Sequence, residues 1–196
     1  MTAVKLVARK VARRPSQTQL RIDTEKYRKR ALELGAADAK VIPASNVVVD
    51  ERVRLKCAVP RCHLYGECVN CPPHVAPVTD FVDDEKWHIG HMAHQRKIHD
   101  IASAIEGLAF NDGHYLAAGF AAGGCKTALC SGQVCQFLDS GRCRFPLKAR
   151  PSMEGVGIDV FDLVTKVGWD VYPIAVRDVD PESVGCAISV GIVFIQ

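Results

Sequence analysis

Long hydrophobic runs, aromatic residues and acids beside cysteine are what this 196-residue chain has least of, and each scarcity excludes something. No apolar stretch approaches the ~20 residues that span a bilayer. The longest, Tyr115 to Ala122 and Cys186 to Ile195, suit buried strands, so membrane insertion is not expected. Aromatics make up 7% of the residues and do not interleave with the basic ones. With no RNP-like or helix-turn-helix pattern either, a nucleic-acid partner is not expected. There is no Cys-x-x-Cys-His, which sets aside covalently attached haem. No phosphate loop, Rossmann glycine pattern or nucleophile-base pair supports conventional enzymology. No N-terminal stretch has an apolar core followed by a cleavage site. A reducing, cytoplasmic setting is therefore expected, rather than the disulfide framework of a secreted protein.

Cysteine is what the chain does have. Eight of its nine cysteines fall into two quartets, each with a proline soon after its last member. The first is Cys57, Cys62, Cys68 and Cys71 (C-x4-C-x5-C-x2-C-P-P), and the second is Cys125, Cys130, Cys135 and Cys143 (C-x4-C-x4-C-x7-C-R-x-P). Four thiolates are the ligand set of a cubane iron-sulfur cluster or of a closed tetrahedral zinc site. Structural zinc usually joins two tight C-x2-C knuckles, and only Cys68 and Cys71 have that spacing. The spacing therefore favours two [4Fe-4S] clusters, with two Zn as the alternative. Cys186 is left over and suits a small core position.

Charge near the quartets points the same way. Between Cys57 and His74 the only acid is Glu67, opposed by Arg61. Between Cys125 and Arg150 the only acid is Asp139, opposed by Lys126, Arg142, Arg144, Lys148 and Arg150. A unit charge ~5 Å from an anionic cluster is worth roughly 3 kcal/mol at an effective dielectric near 20, on the order of 0.1 V in potential. The same cations could equally be solvated surface charge. The segment Arg150 to Asp159 (RPSMEGVGID) adds Glu154 and a helix-cap candidate in Ser152, whose following amides could take an anion. A structural Arg-carboxylate pair with a cap is the other reading of that segment. Arg61, Arg144, Arg150 and Glu154 are thus the candidate residues beside a cofactor. The histidines from His88 to His99 look like a metal cluster, but histidines crowded on the polar face of a helix are more often plain surface residues.

The order of elements predicts an α/β fold: a single domain, a central sheet with flanking helices and two cysteine-rich metal-binding loops. A ferredoxin-like pseudo-repeat is weakly suggested, because the inner cysteine spacings differ. Thr24 to Leu34 reads as a helix capped by Thr24 and stopped at Gly35. Val- and Ile-rich residues 39–42 and 46–53 read as strands leading to Cys57. Ile98, Ile101, Ala102, Ile105 and Leu108 give a helix face that Asn111-Asp112-Gly113 ends. His114 to Ala122 reads as a buried strand, Ser152 to Val167 as a helix stopped by Gly168, and Val171 to Val176 and Ala187 to Ile195 as the last strands. Residues 1–30 carry ten Lys/Arg against Asp23 and Glu25, about +8. Residues 1–22 are accordingly expected as a basic N-terminal extension and 23–196 as the cysteine-rich domain.

Around the cysteines a longer pattern stands out: Arg54-Leu55-Lys56-Cys57, Pro60-Arg61-Cys62, Tyr65-Gly66, Cys71-Pro72-Pro73, Cys143-Arg144, Pro146, and Arg150-Pro151-Ser152-Met153-Glu154 with Gly157-Ile158-Asp159. From roughly residue 25 onward this resembles the predicted metal-binding proteins grouped as domain of unknown function 2284. The resemblance implies a cysteine-ligated metal protein, typically of anaerobic bacteria and archaea, and supplies no substrate. Three functions stay open. One is an electron carrier with two four-cysteine clusters and a redox partner protein. Another is an enzyme with one catalytic cluster in reductive or sulfur-transfer chemistry. The third is a zinc-stapled interaction module.

Overall fold

A computed structural model describes residues 9–11, 15–58, 65–71, 74, 85–172 and 188–195; of residues 54, 56–58 and 85–93 it describes the backbone only. The predicted helix face around Ile98 to Leu108 belongs to α3 (Glu85–Asn111), whose 27 residues extend about 40 Å at 1.5 Å per residue. Ile101, Ile105 and Ala109 on α3 are buried against Tyr27 of α1 (Gln17–Glu33) and against Val193 of the C-terminal strand. Asn111-Asp112-Gly113 ends α3 as expected, with Gly113 at φ +92°. The helix α1 begins earlier than the sequence suggests, because Ser16 caps it by accepting the Gln19 amide at 3.1 Å. Thr24 lies inside it and returns its hydroxyl to the Leu20 carbonyl at 2.8 Å.

An ion network fastens α1 to the end of α3. Asp23 and His114 are both buried, and His114 Nε2 lies 3.0 Å from Asp23 Oδ2. Arg9 reaches Asp23 at 2.6 Å, while Lys26 Nζ and the Tyr27 hydroxyl reach Asp112 at 2.6 and 2.8 Å. Arg9, from the stretch expected as a basic extension, is therefore held by Asp23 of α1 and Asp112 at the end of α3.

Among the described residues the only sheet is two-stranded: β1 (Ala118–Phe120) pairs antiparallel with β2 (Ile192–Phe194), Gly119 opposite Val193. The central sheet is thus replaced, as organiser of the described residues, by α3, which packs on α1, α4 (Cys125–Leu129), β1 and β2. Gly119 makes the approach of β1 to α3 possible, since a Cβ there would stand 2.7 Å from Glu106 Oε2 and 3.2 Å from the Ala102 carbonyl. The expected strand over 46–53 gives way to a single bridge, Val49 with Ile158, and then to α2 (Glu51–Ala58). The physical reason is Asp50, whose carboxylate takes the Arg52 amide at 2.8 Å, an N-capping bond that starts a helix.

The predicted helix after Ser152 is split. A 3-10 turn (Glu154–Val156) ends at Gly157, and α6 (Val160–Lys166) starts afresh with Asp159 accepting the Asp162 amide at 3.0 Å. Gly168, at φ +74°, follows its last turn as expected. The expected strand at 171–176 and Cys186 fall largely or wholly outside the described residues. No helix among the described residues is long and apolar enough to cross a membrane.

Candidate metal centre

Behind β1 the chain turns through Gly123-Gly124 into α4 (Cys125–Leu129), so the second quartet does follow a strand's end. Cys125 opens that helix and is buried with Ala128 and Leu129. A loop then carries Cys130 and Cys135 to α5 (Gln136–Ser140), which stops at Gly141, and returns through Cys143 and Phe145 to Ala149. The first quartet enters from α2, a helix, rather than from a strand. Its last two members, Cys68 and Cys71, sit on a turn in which the Cys71 amide donates to the Cys68 carbonyl at 3.1 Å.

The quartets do not stay apart. Cys68, Cys71 and Cys125 form one buried cluster with Ala128 and Leu129, and Cys130, Cys135, Phe145 and Ala149 pack on it. Cys68 Sγ is 3.3 Å from Cys71 Sγ, and the Asn70 side-chain amide donates to Cys125 Sγ at 3.2 Å. A small cleft of about 20 Å³, room for little more than one water, opens beside them, with Cys68, Cys125, Cys130, Cys135 and Cys143 in its wall. All six described cysteines are free thiols. Among the described residues no three ligating side chains are closed to the spacing of one bound ion. Cys62 and Arg61 lie outside the described residues, and Cys57 is placed by its backbone alone, in the last turn of α2.

Electrostatics favour thiolate at one position in this layer, Cys68. Hydrogen bonds from Cys125 and Cys71, assisted by the backbone amides of Asn70 and Lys126, pull the Cys68 pKa far down against the cost of burial. Cys125, donating to Cys68 and buried beside it, holds its own proton correspondingly harder. Amides aimed at sulfur are what stabilise a thiolate that a metal will use. Burial pushes the Cys130 thiol up, and the neighbouring Arg144 guanidinium pulls it back.

The other expected cofactor-side residues are placed differently from one another. Arg144 stands in the cleft wall and donates to the Val134 carbonyl at 2.6 Å. Arg150 is committed elsewhere: its Nε donates to Glu106 Oε2 at 2.8 Å, and the same oxygen accepts the Gly119 amide at 2.6 Å. Glu154 begins the 3-10 turn, and Ser152 Oγ takes the Gly155 amide at 2.8 Å. That turn abuts the first cysteine loop, since a Cβ on Gly155 would meet Ser152 Oγ at 2.6 Å and the Asn70 carbonyl at 3.4 Å. The RPSMEG segment thus braces the cysteine layer, with the Met153 amide bonding the Ala121 carbonyl at 3.1 Å. Lys126 and Lys148 are paired with Glu67 and Asp100, at 2.7 and 2.6 Å.

Of the histidines, His94 is exposed, as a surface reading expects, but His99 is fully buried. His99 Nδ1 accepts the Arg150 amide at 3.4 Å, and Nε2 is buried with no hydrogen-bond partner. Burial drives its pKa down to about 4 against the Lys148 carbonyl and the Cys68 thiolate, which favour the charged ring. Leaving such a group unpaired costs about 1–3 kcal/mol. Sequence reasoning grouped His99 with the surface histidines. The signal available was its place on α3, two positions before Ile101 and three before Ala102.

A search of curated proteins and of solved structures finds no match to this chain. The family described as predicted metal-binding protein, domain of unknown function 2284, matches over residues 40–86 and 80–189, which takes in every cysteine described above. The match covers well over half of the 196 residues, and the chain belongs to that family of predicted metal-binding proteins.

Proposed function

We propose that the cysteine layer holds iron-sulfur clusters and that the protein passes electrons between partner proteins. The observation that carries the reading is that five cysteines, drawn from both quartets, wall one cleft, and that one buried member, Cys68, is held toward thiolate by its neighbours. The donor set suits a sulfur-loving metal, and a cubane accepts ligands spread around a core rather than gathered on one point. Cys68, Cys71 and Cys125 are the inner ligands; Cys130, Cys135 and Cys143 are the outer ones, with Cys57 and Cys62 completing two sets of four. When bound, the clusters supply one-electron transfer. This chain's part is to exclude water from the inner thiolates, to aim the amides of Asn70 and Lys126 at sulfur, and to set Arg144 beside the outer ligands.

A zinc-stapled interaction module is the second reading, favoured by one distance. Two thiolates on a tetrahedral zinc with ~2.3 Å bonds stand about 3.8 Å apart. The 3.3 Å between Cys68 and Cys71 is nearer to that than to the wider span of ligands on different irons. A redox titration of anaerobically purified protein, followed by paramagnetic resonance, decides. Electron transfer predicts a reversible one-electron signal from each cluster, and a protein silent through the whole range is the zinc module.

A further inference from the structure

We infer that Asn70 is a positioning residue of the metal centre, its side-chain N–H holding the sulfur of Cys125 as that sulfur binds metal; the inference rests on the metal reading above. Asn70 lies inside the C-x2-C turn, between Cys68 and Cys71, and is half-buried. Its Nδ2 stands 3.2 Å from the Sγ of Cys125, 55 residues further on in the other quartet. An asparagine in a turn ordinarily bonds the backbone two residues on. This one aims its donor at a distant sulfur instead.

The chemistry of the pair decides which end of the amide faces the sulfur. A thiolate on a metal has no hydrogen to give, so it suits the NH2 end of Asn70 and not the carbonyl end. The Cys125 hydrogen, where present, is directed at Cys68, which leaves the same choice. The backbone fixes the side chain's starting point. The Cys71 amide closes the turn on the Cys68 carbonyl at 3.1 Å, and the Asn70 carbonyl backs onto the 3-10 turn, where a Cβ on Gly155 would stand 3.4 Å from it. The Asn70 backbone amide serves Cys68 from the same turn. One residue thus gives N–H groups to two sulfurs, one from each quartet. An N–H donated to a ligating sulfur withdraws electron density from it, which raises the potential of a redox centre and protects a zinc thiolate from protonation.

The test starts from iron and zinc measured on wild type purified without oxygen. Where the metal is iron, the midpoint potential is read by redox titration. Asn70→Leu moves it negative, and Asn70→Asp, of the same size but with a charge in place of the N–H, moves it further. Asn70→Gln, which keeps an N–H, returns part of the way to wild type. Where the metal is zinc, affinity is read by competition with a chelator; Asn70→Leu weakens it about 10–100-fold, and Asn70→Gln restores part of the loss. Metal lost from the Leu and Asp variants but kept in Gln also supports the role. A potential or affinity unchanged in Asn70→Leu overturns the inference. So does a Gln variant no closer to wild type than Leu, or one that loses all its metal, because a residue that only shapes the turn gains nothing from a retained N–H. A wild type that binds neither metal refutes the metal reading and the inference with it, whereas a loaded wild type matched by Asn70→Leu refutes the inference alone.

Discussion

Removing the Glu106 carboxylate should destabilise the fold through Arg150, and the size of the effect follows from the geometry. Glu106 Oε2 accepts from two donors, Arg150 Nε at 2.8 Å and the Gly119 amide at 2.6 Å. The two side chains are 16% and 23% exposed, so the pair is neither solvated nor fully dry. Breaking a fully buried pair costs about 3–5 kcal/mol, and solvent reaching this one reduces that to about 2 kcal/mol. The stranded Gly119 amide adds about 1 kcal/mol. Glu106→Ala should therefore lose about 3 kcal/mol, which at ~2–4 °C per kcal/mol lowers Tm by roughly 6–12 °C. Glu106→Gln, which keeps an acceptor but no charge, should lose about half as much. The assay is thermal unfolding at fixed metal loading, because bound metal shifts Tm by itself. In a double-mutant cycle with Arg150→Met, the two changes should fall short of additivity by at least about 1 kcal/mol. Strict additivity, or an Arg150→Met that alters the metal centre while leaving Tm unchanged, would refute the reasoning and return Arg150 to the cofactor.

Cys68 and Cys125 pack in one buried group; if the proposed centre uses both as ligands of one metal cluster, Cys68→Ala and Cys125→Ala should each remove about half of the bound metal, and the double variant no more than either alone. Separate quartet sites predict that the double variant loses everything, which metal analysis of the three proteins distinguishes. Acid should loosen the union of α1 and α3. Burial alone would raise the Asp23 pKa, but hydrogen bonds from Arg9, His114 and Gln19 more than offset it and hold the folded value below the ordinary one. The stabilisation is therefore complete above the ordinary carboxylate pKa of about 4 and is lost as pH falls through the lower folded value. The Tm of wild type should exceed that of Asp23→Asn at neutral pH, with the gap closing below about pH 4. A gap independent of pH would contradict this.

The helix face of Ile98, Ile101, Ile105 and Leu108 was legible because a 3.6-residue period survives whatever packs on it. The stops at Gly113 and Gly168 were legible because both glycines hold positive φ. The stretch before Cys57 was not, since its Val and Ile content argues for a strand while a single carboxylate, Asp50, starts a helix. Nor could spacing reveal the partnership of Cys68 with Cys125. It is made in space by the Asn70 side chain reaching Cys125 and by the Lys126 amide facing Cys68, between loops far apart in sequence. The Arg150-Glu106 pair was foreseen as one of two readings, but its acid, on α3, was not identifiable from the local segment.

The central claim is thiolate-bound iron-sulfur in one cysteine layer, and composition tests it most directly: iron, zinc and acid-labile sulfide measured on one sample purified without oxygen, with its visible spectrum. The account predicts a brown protein with about eight iron and about eight sulfide per chain, the content of two cubanes. A colourless protein with zinc and no sulfide would contradict it.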